Sequence, residues 1–263
     1  MVDPAPDNPA HGEAHNRQGR VALVTGAAAG VGEAVCRQLA AAGATVVVAD
    51  VDAAGAGALA GELGGTSLAF DVADRNAWDG AIEALLAEHG RLDDVVLNAG
   101  VMSRPKGEPM GSDDPLPWFE DRYSLVRAVN IDGVAFGVMA TLSALRASGG
   151  GAIAVTSSMA GLVAQPEDPA YSMSKHALVG LVRSLAPTLA ANGVTIGAVC
   201  PAGIDTSLVP PDYRDAGYAF APPSHVAATL VDVLDKPGSE TGGIWVTLGV
   251  DEPIWRYEFA PLR

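Results

Sequence analysis

A tyrosine and a lysine stand four residues apart in the segment Tyr171-Ser-Met-Ser-Lys175, at the start of a helical pattern. Residues at i and i+4 of a helix share one face, so the phenol and the ammonium are expected to lie side by side. A nearby cation favours the phenolate, and lowering a phenol pKa from about 10 to about 7 takes about 4 kcal/mol of interaction. Tyr171 could then exchange a proton with an alcohol. Such a pair more often serves only surface packing, so this interpretation needs support from other residues.

A predicted strand end supplies that support. The apolar run 152–156 predicts a buried strand, and Ser157 and Ser158 follow it. In a parallel sheet the carboxyl ends of the strands open onto the ligand crevice. Successive residues of an extended chain point in opposite directions, so only one of the two serines faces the crevice. Ser158, thirteen residues before Tyr171, is preferred over Ser157 as a donor to a substrate oxygen.

A glycine-rich turn precedes the first predicted helix. The strand predicted at 21–24 leads into Thr25-Gly-Ala-Ala-Ala-Gly-Val-Gly32. Glycines let the backbone approach a pyrophosphate, and a helix start offers free N–H groups and the positive end of the helix dipole. No Gly-Lys-Ser/Thr follows, which excludes a Walker loop. The glycine spacing departs from G-x-G-x-x-G, and a turn that serves packing alone is the alternative.

Asp50 follows the second predicted strand and stands eighteen residues after Gly32. A carboxylate at this place binds the ribose hydroxyls of an adenosine and repels a 2′-phosphate. NAD is therefore favoured over NADP as cofactor. Asp52 is a weaker alternative for the same role, and a purely structural cap is the alternative function for Asp50.

Short apolar runs alternate with longer helical patterns from Arg20 onward. The runs are nearly continuous in apolar residues, as in strands buried on both faces of a parallel sheet. Strands are predicted at 21–24, 45–49, 67–70, 95–97, 152–156, 194–200 and 244–248. Helices are predicted at 31–42, 75–89, 122–147, 170–192 and 224–234. This alternation predicts an α/β fold with a doubly wound parallel sheet of about seven strands and helices on both faces.

The chain has 263 residues, of which 49% are hydrophobic, and no linker divides it. Residues 20–263 are therefore expected to form a single domain. Residues 1–19 are rich in Pro, Asp and Asn and lack an apolar segment, which predicts a disordered tail rather than a secretory signal. His11 and His15 have a helical metal-ligand spacing, but no predicted helix holds them, so no metal site is expected.

Acidic residues outnumber basic ones by 31 to 16, which gives a formal charge of −15. This balance excludes the classes of protein that bind nucleic acid or anionic membranes, because both need Lys/Arg patches. No uncharged apolar run reaches the ~18 residues that cross a bilayer. The two cysteines, Cys36 and Cys200, cannot form a disulfide framework, and a reduced, cytoplasmic setting is the expectation.

Taken together, the motifs resemble those of the short-chain dehydrogenase/reductase family in its short single-domain form. The resemblance covers residues 20–250 and is carried by motifs that occur in order: Thr25-Gly-x-x-x-Gly-x-Gly32, Asp71-Val72, Asn98-Ala99-Gly100, Asn130, Ser158 and Tyr171-x-x-x-Lys175. It implies a Rossmann-type dehydrogenase domain that transfers a hydride between a nicotinamide and a secondary alcohol or ketone. It also implies a homodimer or homotetramer.

The resemblance assigns roles to particular residues. Tyr171 is the implied acid/base, Ser158 the donor to the substrate oxygen, and Lys175 the ligand of the nicotinamide ribose that lowers the Tyr171 pKa. Asn130 is implied to hold a water that relays protons to Lys175. The implied cofactor-binding residues are Gly26, Ala29, Gly30, Val31, Gly32, Asp50, Val51, Asp71, Val72, Asn98, Ala99, Gly100, Tyr171, Lys175, Pro201, Gly203, Ile204 and Thr206. Ala202 stands where the family usually has a glycine.

Substrate selectivity is expected to lie in two irregular stretches, 101–118 and 207–223, which follow strand ends. Four residues between Ser158 and Tyr171 are expected to line the same pocket, namely Met159, Val163, Gln165 and Pro166. The aromatic C-terminal segment 253–263 is expected to pack across a subunit interface, or otherwise onto its own subunit.

Two other functions remain open. One is an NADPH-dependent biosynthetic ketoreductase, such as a 3-oxoacyl-thioester reductase, against which Asp50 argues. The other is a non-catalytic dinucleotide-binding regulator, which would not need the Ser158, Tyr171 and Lys175 set. A methyltransferase has no use for Tyr-x-x-x-Lys, and the absence of a Gly-x-Ser-x-Gly elbow from the sequence disfavours a hydrolase.

Overall fold

The computed structural model describes residues 16–109, 114–215 and 220–260, and it contains one eight-stranded sheet. The strands are β1 (Val21–Thr25), β2 (Thr45–Asp50), β3 (Thr66–Ala69), β4 (Asp94–Leu97), β5 (Gly151–Thr156), β6 (Val194–Pro201), β7 (Ile244–Thr247) and β8 (Trp255–Arg256). Their order is β3-β2-β1-β4-β5-β6-β7-β8, with β1 to β7 parallel and β8 antiparallel to β7. The predicted doubly wound sheet is confirmed, with one short strand more than expected.

Helices flank the sheet, and most begin and end near the predicted residues. They are α1 (Gly30–Ala41), α2 (Ala53–Leu63), α3 (Arg75–His89), α4 (Leu116–Val126), α5 (Gly133–Ala147), α6 (Pro169–Ala190), α7 (Pro211–Asp215) and α8 (Pro223–Leu234). The sequence reading missed α2, whose three glycines lower its helix propensity. The Asp52 side chain caps α2 by accepting from the Gly55 N–H at 3.0 Å. Asp52 is therefore a helix cap rather than the competitor of Asp50.

A six-residue π-helix, Arg127–Asp132, joins α4 to α5, so one helical run extends over Leu116–Ala147. It begins six residues earlier than predicted and shortens the irregular stretch after β4. By length and composition this run could cross a membrane. Its buried residues Val134, Val138 and Leu145 belong instead to the core beneath the sheet, as in the core helix of a globular domain.

The core has two halves, one on each face of the sheet. On one face Leu23 and Ile153 pack with Trp78 of α3. On the other face Val24 packs with Val35 of α1 and Leu230 of α8. Because alternate residues of each strand point to opposite faces, both sides of β1, β4, β5 and β6 must be apolar, which explains their nearly continuous apolar sequence.

The strand order reverses between β1 and β4. The chain leaves β1 towards β2 on one side and later returns to place β4 on the other side. Connections from the two neighbouring strands therefore diverge at the carboxyl edge of the sheet and leave a crevice. The residues that follow β1, β4, β5 and β6 all meet at this edge.

The opposite, amino edge carries a network of buried charges. Arg17, which is 1% exposed, donates to Asp94 and Asp235 at 2.7 Å each, and Arg20 donates to Asp94 at 2.6 Å. Asp93 accepts from Arg91 and from the Val21 N–H. Burial opposes ionisation of Asp93, but these hydrogen bonds outweigh it and lower its pKa.

Arg17 also corrects the extent of the predicted tail. Residues 1–15, with His11 and His15, lie outside the described residues. Residues 16–19, however, are part of the folded domain. The Arg17 N–H donates to Ala42 O at 2.8 Å, and the Arg17 side chain is buried against Asp94 at the start of β4. Residues 16–19 are polar and have no apolar periodicity. The burial of Arg17 through ion pairs could therefore not be predicted from the sequence pattern.

The C-terminal segment packs on its own chain. Trp255 and Arg256 extend the sheet by pairing with Val246 and Trp245. Phe259 contacts the core, and the Arg183 guanidinium lies 3.6 Å from the centre of its ring. Residues 255–259 thus contact their own chain, while packing of the segment across a subunit interface stays a prediction; residues 261–263 lie outside the described part.

Candidate active site

A cavity of about 520 Å³ opens at the carboxyl edge, between the residues that follow β1 and β4. Most of the residues singled out in the sequence line it. These are Gly26, Ala29, Gly30, Val31, Asp50, Val51, Asp71, Val72, Asn98, Ala99, Gly100, Ser158, Tyr171, Lys175, Pro201, Ile204 and Thr206. Three of the predicted residues do not line the cavity, namely Gly32, Asn130 and Gly203. Each lies directly behind or beside a lining residue.

The glycine turn between β1 and α1 forms one end of the cavity. Gly26 and Gly30 have φ near +62°, a conformation that favours glycine. A Cβ on Gly26 would lie 2.7 Å from Ala99 Cα, and one on Gly32 would lie 2.2 Å from Gly26 O. Gly32 therefore allows close packing of helix and turn, whereas Gly26 and Gly30 shape the wall. No side chain caps α1, so its first N–H groups are free for an anionic ligand.

Asp50 lies at the carboxyl end of β2, beside this turn. Its Oδ2 accepts from the Ala28 N–H and its Oδ1 from the Asp52 N–H, both at 2.9 Å. The carboxylate is thus held in place while it lines the cavity. Together with the free helix start and the glycine turn, this arrangement fits the adenosine and pyrophosphate of a dinucleotide.

Asn98 connects the ends of three strands. Its Nδ2 donates to Thr25 O and Gly26 O at 3.2 and 3.1 Å, and its Oδ1 accepts from Thr156 Oγ1 at 3.1 Å. These bonds hold the glycine turn against β4 and β5. Ala99 and Gly100 continue the wall towards Lys175, whose Nζ would lie 3.5 Å from a Cβ on Gly100.

Ser157 and Ser158 both line the cavity but have different partners. Ser157 is 1% exposed, and its hydroxyl donates to Lys175 O at 3.1 Å. Ser158 Oγ accepts from the Ala160 N–H at 3.1 Å and is hydrogen-bonded to Tyr171. The hydroxyl preferred in the sequence reading is therefore the one that contacts the phenol.

Tyr171 and Lys175 lie together, as their spacing predicts, with Lys175 Nζ 5.4 Å from the centre of the Tyr171 ring. Burial raises the pKa of Tyr171 to about 12, while the Ser158 hydrogen bond lowers it in part. Burial lowers the pKa of Lys175 to about 8. Lys175 donates to Thr156 O at 2.8 Å and has no ion pair within the described ranges.

The raised pKa of Tyr171 is opposite in direction to the effect expected of Lys175 and an oxidised nicotinamide together. In the chain by itself burial is the main cause of the Tyr171 pKa, so the phenol stays protonated at neutral pH. A positively charged ligand beside the phenol would be needed to lower its pKa further. Cys200, on β6 near both groups, is buried, and burial raises the pKa of its thiol.

Asn130 lies in the π-helix behind the cavity wall. Its Oδ1 accepts from the Val101 N–H at 2.8 Å, and its Nδ2 donates to Val101 O at 2.9 Å and to Ser174 Oγ at 3.0 Å. The side-chain amide is therefore engaged in holding the chain after β4. The proton relay through a water held by Asn130 stays a prediction.

The segment after β6 closes the other side of the cavity. Ala202, which stands in place of the family's usual glycine, lines the cavity, and its N–H donates to Thr247 O at 2.9 Å. Gly203 O accepts from the Ala221 N–H at 3.0 Å. The alanine is thus accommodated by an ordinary hydrogen bond between the ends of β6 and β7.

The apolar lining of the cavity differs from the expected one. Met159, Val163, Gln165 and Pro166 are absent from the lining residues. Val101, Leu125, Val129 and Leu208 form that lining instead. Leu125 and Val129 stand at i and i+4 of the helical run, and Leu125 remains 40% exposed. Their shared helix face was readable from the sequence, but its direction towards the cavity was not.

Charge is distributed unevenly along the cavity. Asp50 and Asp71 line the end near the glycine turn, and Lys175 is the single cationic side chain among the described lining residues. No group of three or more His, Cys, Asp or Glu side chains in the described ranges could hold a metal ion. The site therefore offers proton transfer at Tyr171, a hydroxyl at Ser158 and a binding place for a dinucleotide.

Comparison with known proteins agrees with this geometry. The family model for short chain dehydrogenase matches residues 20–216. The chain belongs to the short-chain dehydrogenase/reductase family and is an oxidoreductase of that family.

Several curated relatives have assigned names. A D-threitol dehydrogenase of Mycolicibacterium smegmatis is 35% identical over 195 residues, which cover 72% of each chain. A cis-4-hydroxycyclohexanecarboxylate dehydrogenase of Sinomonas cyclohexanicum is 38% identical over 216 residues, 79% of this chain and 84% of the relative. A 3beta-hydroxysteroid dehydrogenase of Mediterraneibacter gnavus is 36% identical, over 72% of this chain and 67% of the relative.

Proposed function

We propose that this protein is an NAD-dependent dehydrogenase that interconverts a secondary alcohol and its ketone, with Tyr171 as the acid/base. The observation that carries the proposal is the meeting of Ser158, Tyr171 and Lys175 at one end of a cavity whose other end holds Asp50. The three named relatives are all dehydrogenases, and their names specify different hydroxylated compounds. This variety leaves the substrate open within the class of alcohols.

The chemistry follows from the positions of the side chains. A bound nicotinamide accepts or supplies the hydride. The Ser158 hydroxyl donates a hydrogen bond to the substrate oxygen, as an oxyanion donor does. During reduction Tyr171 Oη gives its proton to the substrate oxygen. During oxidation the hydroxyl proton goes to the Tyr171 phenolate, which the positive charge of a bound oxidised nicotinamide would favour together with Lys175. Lys175, held by Thr156 O, orients a ribose hydroxyl and adds positive charge that favours the phenolate.

Asp50 is the basis for proposing NAD over NADP. Its fixed carboxylate lines the cavity, and the described lining residues at that end include no Lys or Arg to neutralise a 2′-phosphate. The two negative charges would repel each other in a partly desolvated site. An NADPH-dependent reductase would require a cation at this place.

A fluorescence titration with NADH and NADPH tests the cofactor. We expect NADH to bind more tightly, and Asp50→Asn to reduce the difference by about tenfold or more, since about 1.4 kcal/mol corresponds to a factor of ten. Asp52→Asn is the matched control, because it removes a carboxylate two residues away that caps α2. Equal discrimination in wild type and Asp50→Asn would show that Asp50 is only structural.

A panel of alcohols tests the reaction. Threitol, cis-4-hydroxycyclohexanecarboxylate and a 3β-hydroxysteroid, together with cyclohexanol, are offered with NAD, and NADH formation is followed at neutral and alkaline pH. Turnover of at least one member supports the proposed class. Tight NADH binding without turnover of any alcohol in the panel would favour the alternative function, a non-catalytic dinucleotide-binding regulator.

We further propose a homodimer or homotetramer in a cytoplasmic setting, in line with the family resemblance. Light scattering of the purified chain tests the assembly. A monomeric mass would reject it.

A further inference from the structure

A buried carboxylate that the proposed chemistry does not use lies at the start of α6. Asp168 is 0% exposed and immediately precedes that helix. Its Oδ1 accepts from the Tyr171 N–H at 3.0 Å and from Ser103 Oγ at 2.6 Å, and its Oδ2 accepts from the Ser103 N–H at 2.9 Å. All three partners are donors, which is the arrangement that a carboxylate requires.

These contacts reach the chain that follows β4. Ser103 is 2% exposed and lies two residues after Val101, which lines the cavity. The same chain is held a second time, because Asn130 bonds both backbone groups of Val101 and donates to Ser174. Ser174 Oγ in turn donates to Tyr171 O at 2.7 Å. Both backbone polar groups of Tyr171 are therefore connected to residues 101–103.

We propose that Asp168 is a positioning residue for Tyr171, because its buried carboxylate ties the first turn of α6 to the chain after β4. The inference rests on the proposed function, because the position of Tyr171 matters for activity only if Tyr171 is the acid/base. The experiment that tests the inference does not require activity. A simple helix cap needs only a hydrogen bond, and an exposed Ser, Thr or Asn supplies one. A fully buried carboxylate with two bonds to a distant loop does more than cap a helix.

The charge has no partner that cancels it among the described residues. Neither Lys nor Arg forms an ion pair with Asp168 there. Arg104 follows Ser103 in sequence, but its guanidinium lies over the Trp118 ring, 5.8 Å from the centre. Asp168 is therefore held by the N–H groups of Tyr171 and Ser103 and by the Ser103 hydroxyl.

The phenol is surrounded by a small set of titratable and polar groups. Lys175 lies on the same helix, Cys200 on β6, and Ser158 after β5. Burial is the main cause of the raised pKa of Tyr171, the Ser158 bond lowers that pKa, and the charges of Asp168 and Cys200 raise it. Because burial raises the pKa of Cys200, its thiol is neutral near pH 7, which leaves Asp168 as the anion that opposes the phenolate.

The test reads Tyr171 in the chain without substrate or cofactor. Tyrosine is labelled with ¹³C at Cζ, and the five signals are followed by NMR from pH 7 upward, with Tyr171→Phe identifying the signal of interest. We expect Asp168→Asn to begin ionising at a pH lower by about one unit than wild type, the size of effect that a neighbouring charge has. Glu167→Gln, which removes an exposed carboxylate one residue away, is expected to leave the signal unmoved.

Three results would overturn the proposal. The Tyr171 signal could titrate in folded Asp168→Asn as it does in wild type, or Glu167→Gln could shift it equally. If Asp168→Asn does not fold, Ser103→Ala replaces it and tests the tie by amide hydrogen exchange. We expect the Tyr171 amide to exchange at least about tenfold faster, because the carboxylate that accepts from it loses the hydrogen bond of the Ser103 hydroxyl. Unchanged exchange in Ser103→Ala is the third contrary result.

Loss of activity on the alcohol panel is a separate matter. If wild type turns over no alcohol, the proposed reaction fails while the NMR titration still reports on Asp168. If wild type is active and the Tyr171 titration does not respond to Asp168→Asn, only the inference about Asp168 fails.

Discussion

The two edges of the sheet treat buried charge in opposite ways. At the amino edge, Arg17, Arg20 and Asp94 form short ion pairs, and every charge among them has an oppositely charged partner. At the carboxyl edge, Lys175 is 3% exposed, and within the described ranges its ammonium bonds to a carbonyl while the Asp168 carboxylate bonds to N–H and hydroxyl groups, neither forming an ion pair. Ion pairing satisfies charges that hold the fold, whereas the unpaired charges at the other edge remain able to act on a ligand or on Tyr171.

This difference has a thermodynamic consequence. A paired buried charge costs stability when its partner is removed. An unpaired buried charge costs stability while it is present, so removing it stabilises the fold. The same kind of substitution should therefore have opposite signs at the two edges. The following predictions test that contrast from the largest expected effect to the smallest.

The largest effect concerns function at the carboxyl edge. Tyr171→Phe removes the hydroxyl that exchanges a proton with substrate, and we expect the rate with the best alcohol of the panel to fall by about 10²–10⁴-fold. Tyr257→Phe is the control, since Tyr257 is exposed and lies outside the cavity lining. A near-normal rate in Tyr171→Phe would remove the phenol from the mechanism.

The next effect concerns stability at the amino edge. Arg17→Met leaves Asp235 without this partner and Asp94 with Arg20 alone, and we expect the free energy of unfolding to fall by about 3 kcal/mol. Urea unfolding measures it, and NADH affinity should not change. Arg37→Met, which breaks exposed pairs with Glu33 and Glu62, should lower the free energy of unfolding much less than Arg17→Met, because water screens exposed ion pairs. An equal decrease in the free energy of unfolding in the two variants would show that the buried Arg17 ion pairs stabilise the fold no more than the exposed Arg37 pairs do.

The smallest effect has the opposite sign. Lys175→Met removes an unpaired buried charge. The lowered pKa of Lys175 corresponds to about 3 kcal/mol of lost stability at pH 7, and we expect a net gain of about 2 kcal/mol because the variant also loses the bond to Thr156 O. The folded pKa of about 8 lies below the ordinary value of 10.5. Between these values the unfolded chain binds more protons, so wild-type stability rises with pH and the advantage of the variant shrinks.

Urea unfolding at pH 7 and pH 9.5 follows this change. Lys106→Met, at an exposed lysine, should show no such pH dependence. A Lys175→Met variant that is less stable than wild type at pH 7 would mean that the bond to Thr156 outweighs the cost of burying the charge.

The seven parallel strands and most of the residues that line the cavity were predictable from the sequence. Continuous apolar runs predicted all seven parallel strands, and helix-terminal glycines predicted the ends of α1 and α3. The Tyr171–Lys175 pair came from a spacing of four, which a helix converts directly into a contact. The helix α2 was missed because its glycines weaken the helical signal, although Asp52 and Gly64 mark its two ends.

What the sequence alone determined is therefore local: periodicity predicts strands and helices, and short spacings predict which neighbours share a face. Only the tertiary structure shows that Arg17 bonds to Asp94 and that Leu125 and Val129 line the cavity. It also shows that Ser103 bonds to Asp168, which is 65 residues away in the chain. Such contacts depend on how whole elements pack, and a single polar residue in a loop carries no period that reveals its distant partner. For the same reason the preference for Ser158 over Ser157 could be made from spacing, while the partners of each hydroxyl could not.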